Sequence, residues 1–389
     1  MHDQLGGVVV APFSFDNSFQ GFSKLLEALR SAEATPSNSI VGMEATGPYW
    51  MALHEFLVAH GFNAVVINPI HTDAFRKVRT ARLTKTDPID AGLIAELLRM
   101  RTFTSSYRMD EPADSLKQLT RYRTSVVSQC TRLKNQGTSS LDRVFPEYAS
   151  LFSDPFGPTS RAVLALCPTP QQVLTMDVKE LTRTIERASQ GRLGRAKAAA
   201  IVAAAESSIG VTLSSKTVAI ELQLIVEQMG FLDGQLKRLD AMIAALLGES
   251  RGRWLATIPG IGTILAAQIT GEVGDPYRFA CAKKLIAFAG LDATKAQSGE
   301  RDDHGHMSKR GSSQLRCALM QGAERVRRLD PYFEDYFTAK RAQGAPYFRS
   351  LACVARKLTG VVLALMKEGR AYEPCPPAHH LPGHGASLQ

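Results

Sequence analysis

Glu44 stands at the end of an apolar run, Ile40-Val41-Gly42-Met43, and is followed by Ala45-Thr46-Gly47, whose glycine lets the chain leave a sheet tightly. Strand ends are where α/β sheets present chemistry. Further on, Lys85-Thr86-Asp87-Pro88-Ile89-Asp90-Ala91 opens a helix, with Asp87 suited to the N-cap, Pro88 to the first helical position and Asp90 three residues on. Hard divalent ions take oxygen ligands, and two ions about 4 Å apart stabilise both oxygens of a phosphodiester displacement. Glu44, Asp87 and Asp90 suit that chemistry. Ordinary helix capping accounts for the two aspartates equally well, so both readings stand. Between these acids lie Arg76, Lys77, Arg79, Arg82 and Lys85, with no acid among them. They read as a track for a nucleic-acid backbone or as a solvated face.

A second group lies in the polar stretch from Leu291 to Arg316, where Ser298-Gly299 is followed by Lys309, Arg310 and Arg316. A serine can attack a phosphodiester if nearby cations stabilise the developing charge, but on residues alone Ser298 is one serine among many. Asp302, Asp303, His304 and His306 read as metal ligands or, more simply, as solvated loop residues. Ile258-Pro259-Gly260-Ile261-Gly262 is a tight turn between helices. Backbone N–H groups at Gly260 and Gly262 could meet a phosphate, as in a helix-hairpin-helix, or the turn could be purely structural.

The elements that must position these residues follow from periodicity. Val8 to Phe15 is apolar and β-prone, Phe22 to Leu29 is spaced as a short helix, and Asn63 to Asn68 reads as a strand closed by Pro69. Strands alternating with helices imply an α/β sheet. Helices are expected from Asp87 to Arg99 and from Ser115 to Leu141, closing a first domain near residue 150. Residues 151 to 250 read as a helical connector ending in a heptad seam of Leu222, Ile225, Met229, Leu232, Leu236, Leu239, Ile243 and Leu246. That seam is a coiled coil between chains or an amphipathic helix on its own domain. Gly230 and Gly234 inside it each cost roughly 1 kcal/mol relative to alanine, so a kink or a partner is expected. A mostly helical region fills 251 to 372, and the Pro-, Gly- and His-rich residues 373 to 389 read as a disordered tail.

At 389 residues the chain exceeds the usual single core. A hydrophobic share of 44% and a charged share of 21% are those of a folded globular protein, and 7% aromatics argues against a carbohydrate or membrane specialist. The formal charge of +9 favours a polyanionic partner. The cysteines are scattered without zinc-ligand spacing and read as reduced thiols; with no run of about 18 apolar residues and no leader pattern, a cytoplasmic, nucleoid-associated protein without a membrane partner is expected.

Taken in order, Val41-Gly42-Met43-Glu44-Ala45-Thr46-Gly47, Lys85 to Ala91, Ile258 to Gly262, Gln297-Ser298-Gly299 and Ser308-Lys309-Arg310-Gly311 with Leu315-Arg316 resemble the DEDD-type insertion-sequence transposases, the bridge-RNA-guided recombinases. The resemblance spans about residues 5 to 372. It implies an α/β RNase H-like (RuvC-like) domain over 1–150 and a mostly α-helical C-terminal domain over 251–372, joined by the coiled coil. Glu44, Asp87 and Asp90 would be three of four carboxylates that bind Mg2+ or Mn2+, with Ser298 as the nucleophile linked covalently to DNA. Donor and target DNA, a structured guide RNA and further copies of the chain are the implied partners.

The family's opening strand, hydrophobic-Gly-hydrophobic-Asp, has no counterpart here. Met1 to Val8 reads as the hairpin after it, with Asp3 a turn residue. A misassigned start or a truncation is therefore expected, at the cost of one metal ligand and an exposed sheet edge. Two other readings stay in view: a RuvC-like junction nuclease, which needs no Ser298, and an inactive nucleic-acid-binding relic.

Overall fold

The computed structural model describes residues 1–45, 47–79, 86–100, 111–298 and 301–374, with the backbone alone for 79, 294–298 and 301–306. The expected tail from 375 onward, Arg82 and Lys85 lie outside the described residues. The chain divides into two compact units, 1–108 and 109–389.

The first unit runs α1 (Phe19–Ser31), β1 (Ile40–Glu44), α2 (Tyr49–Ala59), β2 (Asn63–Ile67), α3 (Pro69–Arg79) and α4 (Asp87–Met100). β1 and β2 pair in parallel, Ile40 opposite Asn63 through to Glu44 opposite Ile67, with α2 as the crossover. Met43 and Val66 pack with Leu26, Leu29, Leu57 and Phe62 in one apolar cluster. Gly42 lets α4 lie close on β1, since a Cβ there would stand 2.7 Å from Leu98 and 2.9 Å from Ile94. The α/β character expected from sequence is present as this parallel pair with helices.

Val8 to Phe15 does not form the expected strand; the region holds a single bridge, His2 with Val8. Pro12 removes a ladder donor, and Val8 and Val9 are exposed, so the run has no partner to reward extended pairing. Asp3 is a turn residue as read: its Oδ1 accepts from the N–H groups of Leu5 and Gly7, both at 2.8 Å.

The second unit contains α5 (Glu111–Val144), α6 (Pro158–Leu166), α7 (Pro170–Thr175), α8 (Val178–Ser189), α9 (Arg195–Glu206), α10 (Ser215–Glu249), α11 (Thr263–Val273), α12 (Ala282–Ala289), a hairpin of β3 (Ala293–Ser298) and β4 (Arg301–Met307), then α13 (Ser313–Leu329), α14 (Pro331–Ala342) and α15 (Tyr347–Glu368). The stretch read as a connector has a core of its own, in which Phe145, Tyr148, Val163, Leu181, Ile185 and Ile201 meet the first half of α10. A second cluster, built on α11, α13 and α15, takes the other half.

The heptad seam resolves toward intrachain packing. Leu222, Ile225, Met229, Leu232, Leu239 and Ile243 are buried in these two clusters, and α10 lies along α5, α6 and α11 of the same unit. A period near 3.5 suits any long helix laid along another, so the pattern alone does not distinguish a partner chain from a neighbouring helix. α10 is one helix through Gly230 and Gly234, because burial of its inner face outweighs their low propensity. No described helix is long and apolar enough to cross a membrane.

Candidate functional site

Glu44 ends β1, and Ala45 continues the ladder by donating its N–H to the Ile67 carbonyl at 3.0 Å. Pro69 starts α3, and Asn68 caps it by accepting from the Ile70 N–H at 3.0 Å. α3 then presents Thr72 and Arg76, four residues apart and so on one face. Thr72, 1% exposed, sets its hydroxyl 3.1 Å from the Glu44 carboxylate and 2.9 Å from the Pro69 carbonyl. Arg76 donates to Asp90 at 2.7 Å and to Asp73 at 3.3 Å, its side chain 12% exposed and that of Asp90 15%. One helix face therefore reaches both carboxylates.

On α4 the Asp90 N–H bonds to the Thr86 carbonyl at 3.0 Å, so the helix begins one residue earlier than the capping pattern suggests. Thr86 takes the N-cap place and Asp87 the first turn, where it is exposed. Asp90 heads the stripe that continues through Ile94 and Leu98 onto Gly42, which turns it inward. Among the described residues no three His, Cys, Asp or Glu side chains stand as a metal-holding group. The donors at Glu44 and Asp90 are hard oxygens that suit Mg2+ or Mn2+, but among the described residues the positive charge paired with Asp90 is the Arg76 guanidinium. Of the basic track, Arg76 is thus an internal counter-ion, Lys77 pairs with Asp73 at 2.9 Å, and the Arg79 side chain is outside the described residues.

Ser298 closes β3 and pairs across the ladder with Arg301, at the tip of a hairpin that the sequence did not disclose. The hairpin's foot is firmly tied. The Ser308 hydroxyl donates to Asp292, the Ser308 N–H to the Asp292 carbonyl at 2.9 Å, and the Lys309 N–H to the Gly290 carbonyl at 3.2 Å. Arg316 donates to the carbonyls of Ala289 at 3.1 Å and Lys309 at 3.3 Å, and Arg356 to that of Leu291 at 2.7 Å. Lys309 and Arg310 are exposed beside this foot, whereas the Arg316 guanidinium is engaged in holding it. Gly311, at φ 138°, lies so close to the Phe288 carbonyl that a Cβ would stand 2.2 Å from it.

Below the foot the buried carboxylate of Glu272 forms an ion pair with the half-exposed Arg121. The Glu272 carboxylate accepts from Arg121 Nε at 2.7 Å and Nη2 at 3.2 Å, and from the Ser312 hydroxyl at 2.7 Å. Ser312 is also the N-cap of α13, accepting from the Leu315 N–H at 3.1 Å. Beside it, burial lowers the Lys117 pKa, partly offset by the attraction of Glu272.

The glycine turn is a type II turn in outline: the Ile261 N–H reaches the Ile258 carbonyl at 3.0 Å, Pro259 leads and Gly260 has φ 86°. A Cβ on Gly260 would lie 2.9 Å from Arg325 Cβ, so this face is packed on α13. Gly262 has open space and is the N-cap of α11, preceded by a short 3-10 helix (Arg251–Thr257).

Sequence reasoning missed Thr72, Arg121, Glu272 and Ser312. The spacing of Thr72 and Arg76 was a usable signal, since residues four apart on a helix after a buried strand point the same way. The other contacts join residues distant in sequence and left none.

Comparison with known proteins adds a family. Residues 2–146 match a model of DEDD transposases of the IS110 type, described as Transposase, and residues 252–338 match one described as Transposase IS116/IS110/IS902 family. The chain is 28% identical to the uncharacterized 44.8 kDa protein of insertion element IS116 from Streptomyces clavuligerus, over 82% of this chain and 80% of that one. It is 27% identical to the uncharacterized 43.6 kDa protein of IS110 from Streptomyces coelicolor, over 76% and 73%. With the pilin gene-inverting protein of Moraxella bovis it shares 24% identity over 92% and 90%.

Proposed function

Since the chain belongs to the IS110 family of transposases and is a DNA transposase or recombinase, we propose that it cuts and rejoins insertion-element DNA through a carboxylate site in the first unit and Ser298 in the second. The observation that carries this reading is the convergence of Glu44 and Asp90 on one face of α3, at the C-terminal end of a parallel strand. An RNase H-like fold would accommodate that arrangement, and the parallel pairing of β1 with β2 supports it.

Glu44, Asp87 and Asp90 do not stand as one group here; brought together, they would hold Mg2+ or Mn2+, which supplies charge to oxygens of a scissile phosphodiester. Thr72 fixes one Glu44 oxygen by a hydrogen bond and so orients the carboxylate. Ser298 Oγ attacks phosphorus: a serine–phosphate bond forms, one phosphorus–oxygen bond to deoxyribose breaks, and the departing sugar oxygen takes a proton. Reversal with a different sugar hydroxyl rejoins the strand and frees the serine. Lys309 and Arg310 offer cations to the phosphates next to the hairpin, and the exposed N-cap at Gly262 offers backbone N–H groups.

Donor and target DNA are the substrates, and a structured guide RNA is the selecting partner that the family resemblance implies. The Moraxella relative is a pilin gene-inverting protein, and inverting a gene also requires DNA strands to be cut and rejoined. Self-association would use the outer stripe of α10, where Ile220, Leu224, Phe231 and Met242 are exposed.

The test is trapping. Wild-type chain mixed with end-labelled element DNA gives a covalent protein–DNA adduct on a denaturing gel, and Ser298→Ala gives none. An adduct that persists in that variant refutes the serine role. Strand cleavage by Ser298→Ala at the wild-type rate points instead to a nuclease that uses the carboxylates alone.

A further inference from the structure

We propose that Arg76 is a guanidinium gate on the carboxylate site: it holds Asp90 until a nucleic-acid phosphate draws it away, so that nucleic acid and divalent cation bind cooperatively. This rests on the carboxylate reading above.

Three observations carry it. Arg76 Nη2 stands 2.7 Å from Asp90 Oδ1, a charge-assisted hydrogen bond to an oxygen that a cation would need. The pair is largely shielded, at 12% and 15% side-chain exposure, so solvent screens it weakly and a cation must compete with it directly. Asp73, the second acid on Arg76, is 54% exposed and shared with Lys77 at 2.9 Å, so the guanidinium is tied to solvent-facing groups on one side and to the site on the other. Arginine is also the side chain best matched to phosphate, through its planar array of donors. When Arg76 turns to a phosphate, Asp90 loses its counter-ion and its oxygen opens to a metal. Thr72, one turn back on the same face, keeps its contact with Glu44, so α3 links the two carboxylates to one event.

The experiment measures Mn2+ affinity of the full chain by electron paramagnetic resonance, with and without a short mixed-sequence DNA duplex, in wild type, Arg76→Gln and Arg76→Lys. Circular dichroism confirms folding of each variant. The gate requires that duplex tighten Mn2+ binding to wild type by about tenfold, within the roughly 5–150-fold range of coupled sites. Arg76→Gln binds Mn2+ about tenfold tighter than wild type without DNA and gains nothing from the duplex. Arg76→Lys, which keeps the charge, stays near wild type without DNA. A loss of affinity by roughly 10–100-fold in Arg76→Gln makes Arg76 an orienting partner of Asp90 and overturns the gate. Equal affinity in wild type and Arg76→Gln also overturns it. Absence of specific Mn2+ binding from every variant refutes the carboxylate reading itself, and the gate with it.

Discussion

Ser312 donates its hydroxyl to the buried carboxylate of Glu272 at 2.7 Å while capping α13 with the same oxygen. Arg121 completes the contact from α5, so three elements meet at one acid beneath the β3–β4 hairpin. The two charged partners are unequal: the Glu272 side chain is 2% exposed and that of Arg121 49%.

That inequality predicts which deletion is worse. Arg121→Ala leaves the buried carboxylate with the Ser312 hydroxyl and the neighbouring Lys117, and because Arg121 is half exposed a loss of about 2–3 kcal/mol is expected, below that of most fully buried pairs. Glu272→Ala leaves an arginine that can rehydrate, and costs about 1–2 kcal/mol. Urea unfolding of both variants gives the order. Equal losses would mean that the charge is not the deciding quantity.

Gly230 and Gly234 lie on the outer side of α10, where an added Cβ meets nothing within 4 Å. Each replacement by alanine should add up to about 1 kcal/mol from helix propensity. Thermal unfolding tests this, and a fall in midpoint would show that those positions are covered in solution by another molecule.

Gly260→Ala has the opposite sign. Its φ of 86° and the 2.9 Å approach to Arg325 Cβ predict a loss of about 1–3 kcal/mol. An unchanged unfolding midpoint would show that the turn can reshape without disturbing α13.

Burial alone would raise the Glu324 carboxyl, but hydrogen bonds from Arg327, Tyr347 and Arg328 outweigh it and bring its pKa from 4.5 down to about 2. A depressed acid stabilises the fold above its unfolded pKa and loses that contribution as pH falls through the folded value. Stability carried by this cluster should therefore fade between about pH 4.5 and pH 2. Glu324→Gln should flatten that part of the acid limb in a series of denaturant titrations. An identical limb in the variant would assign acid loss to other groups.

Sequence legibility followed burial. β1 and β2 could be read as short apolar runs and α4 and α5 from their helical spacing of apolar residues against a core, with boundaries off by a few positions at most. The β3–β4 hairpin could not, since Ala293 to Met307 is mostly polar and offers no run or alternation of apolar residues. Val8 to Phe15 failed in the other direction: β-prone residues without a neighbour do not make a strand. At the candidate site, Glu44 and Asp90 were visible from strand end and helix start. The meaning of Arg76 was not, because a cation read along the chain looks solvent-facing until the acid it meets fourteen residues later is in place.

The tied foot of the β3–β4 hairpin turns it into a lever. From Ala293 to Ser298 the strand extends about 17 Å at roughly 3.3 Å per residue, and the contacts described above hold it at residues 288–293 and 307–316. A tilt of about ten degrees at that fulcrum carries the tip by about 3 Å over an arm of this length. For the nucleophile proposed at Ser298 that would be the difference between contact with a phosphorus atom and a full atom's width of separation, so Ser308, Arg316 and Arg356 at the foot would set the reach of the tip.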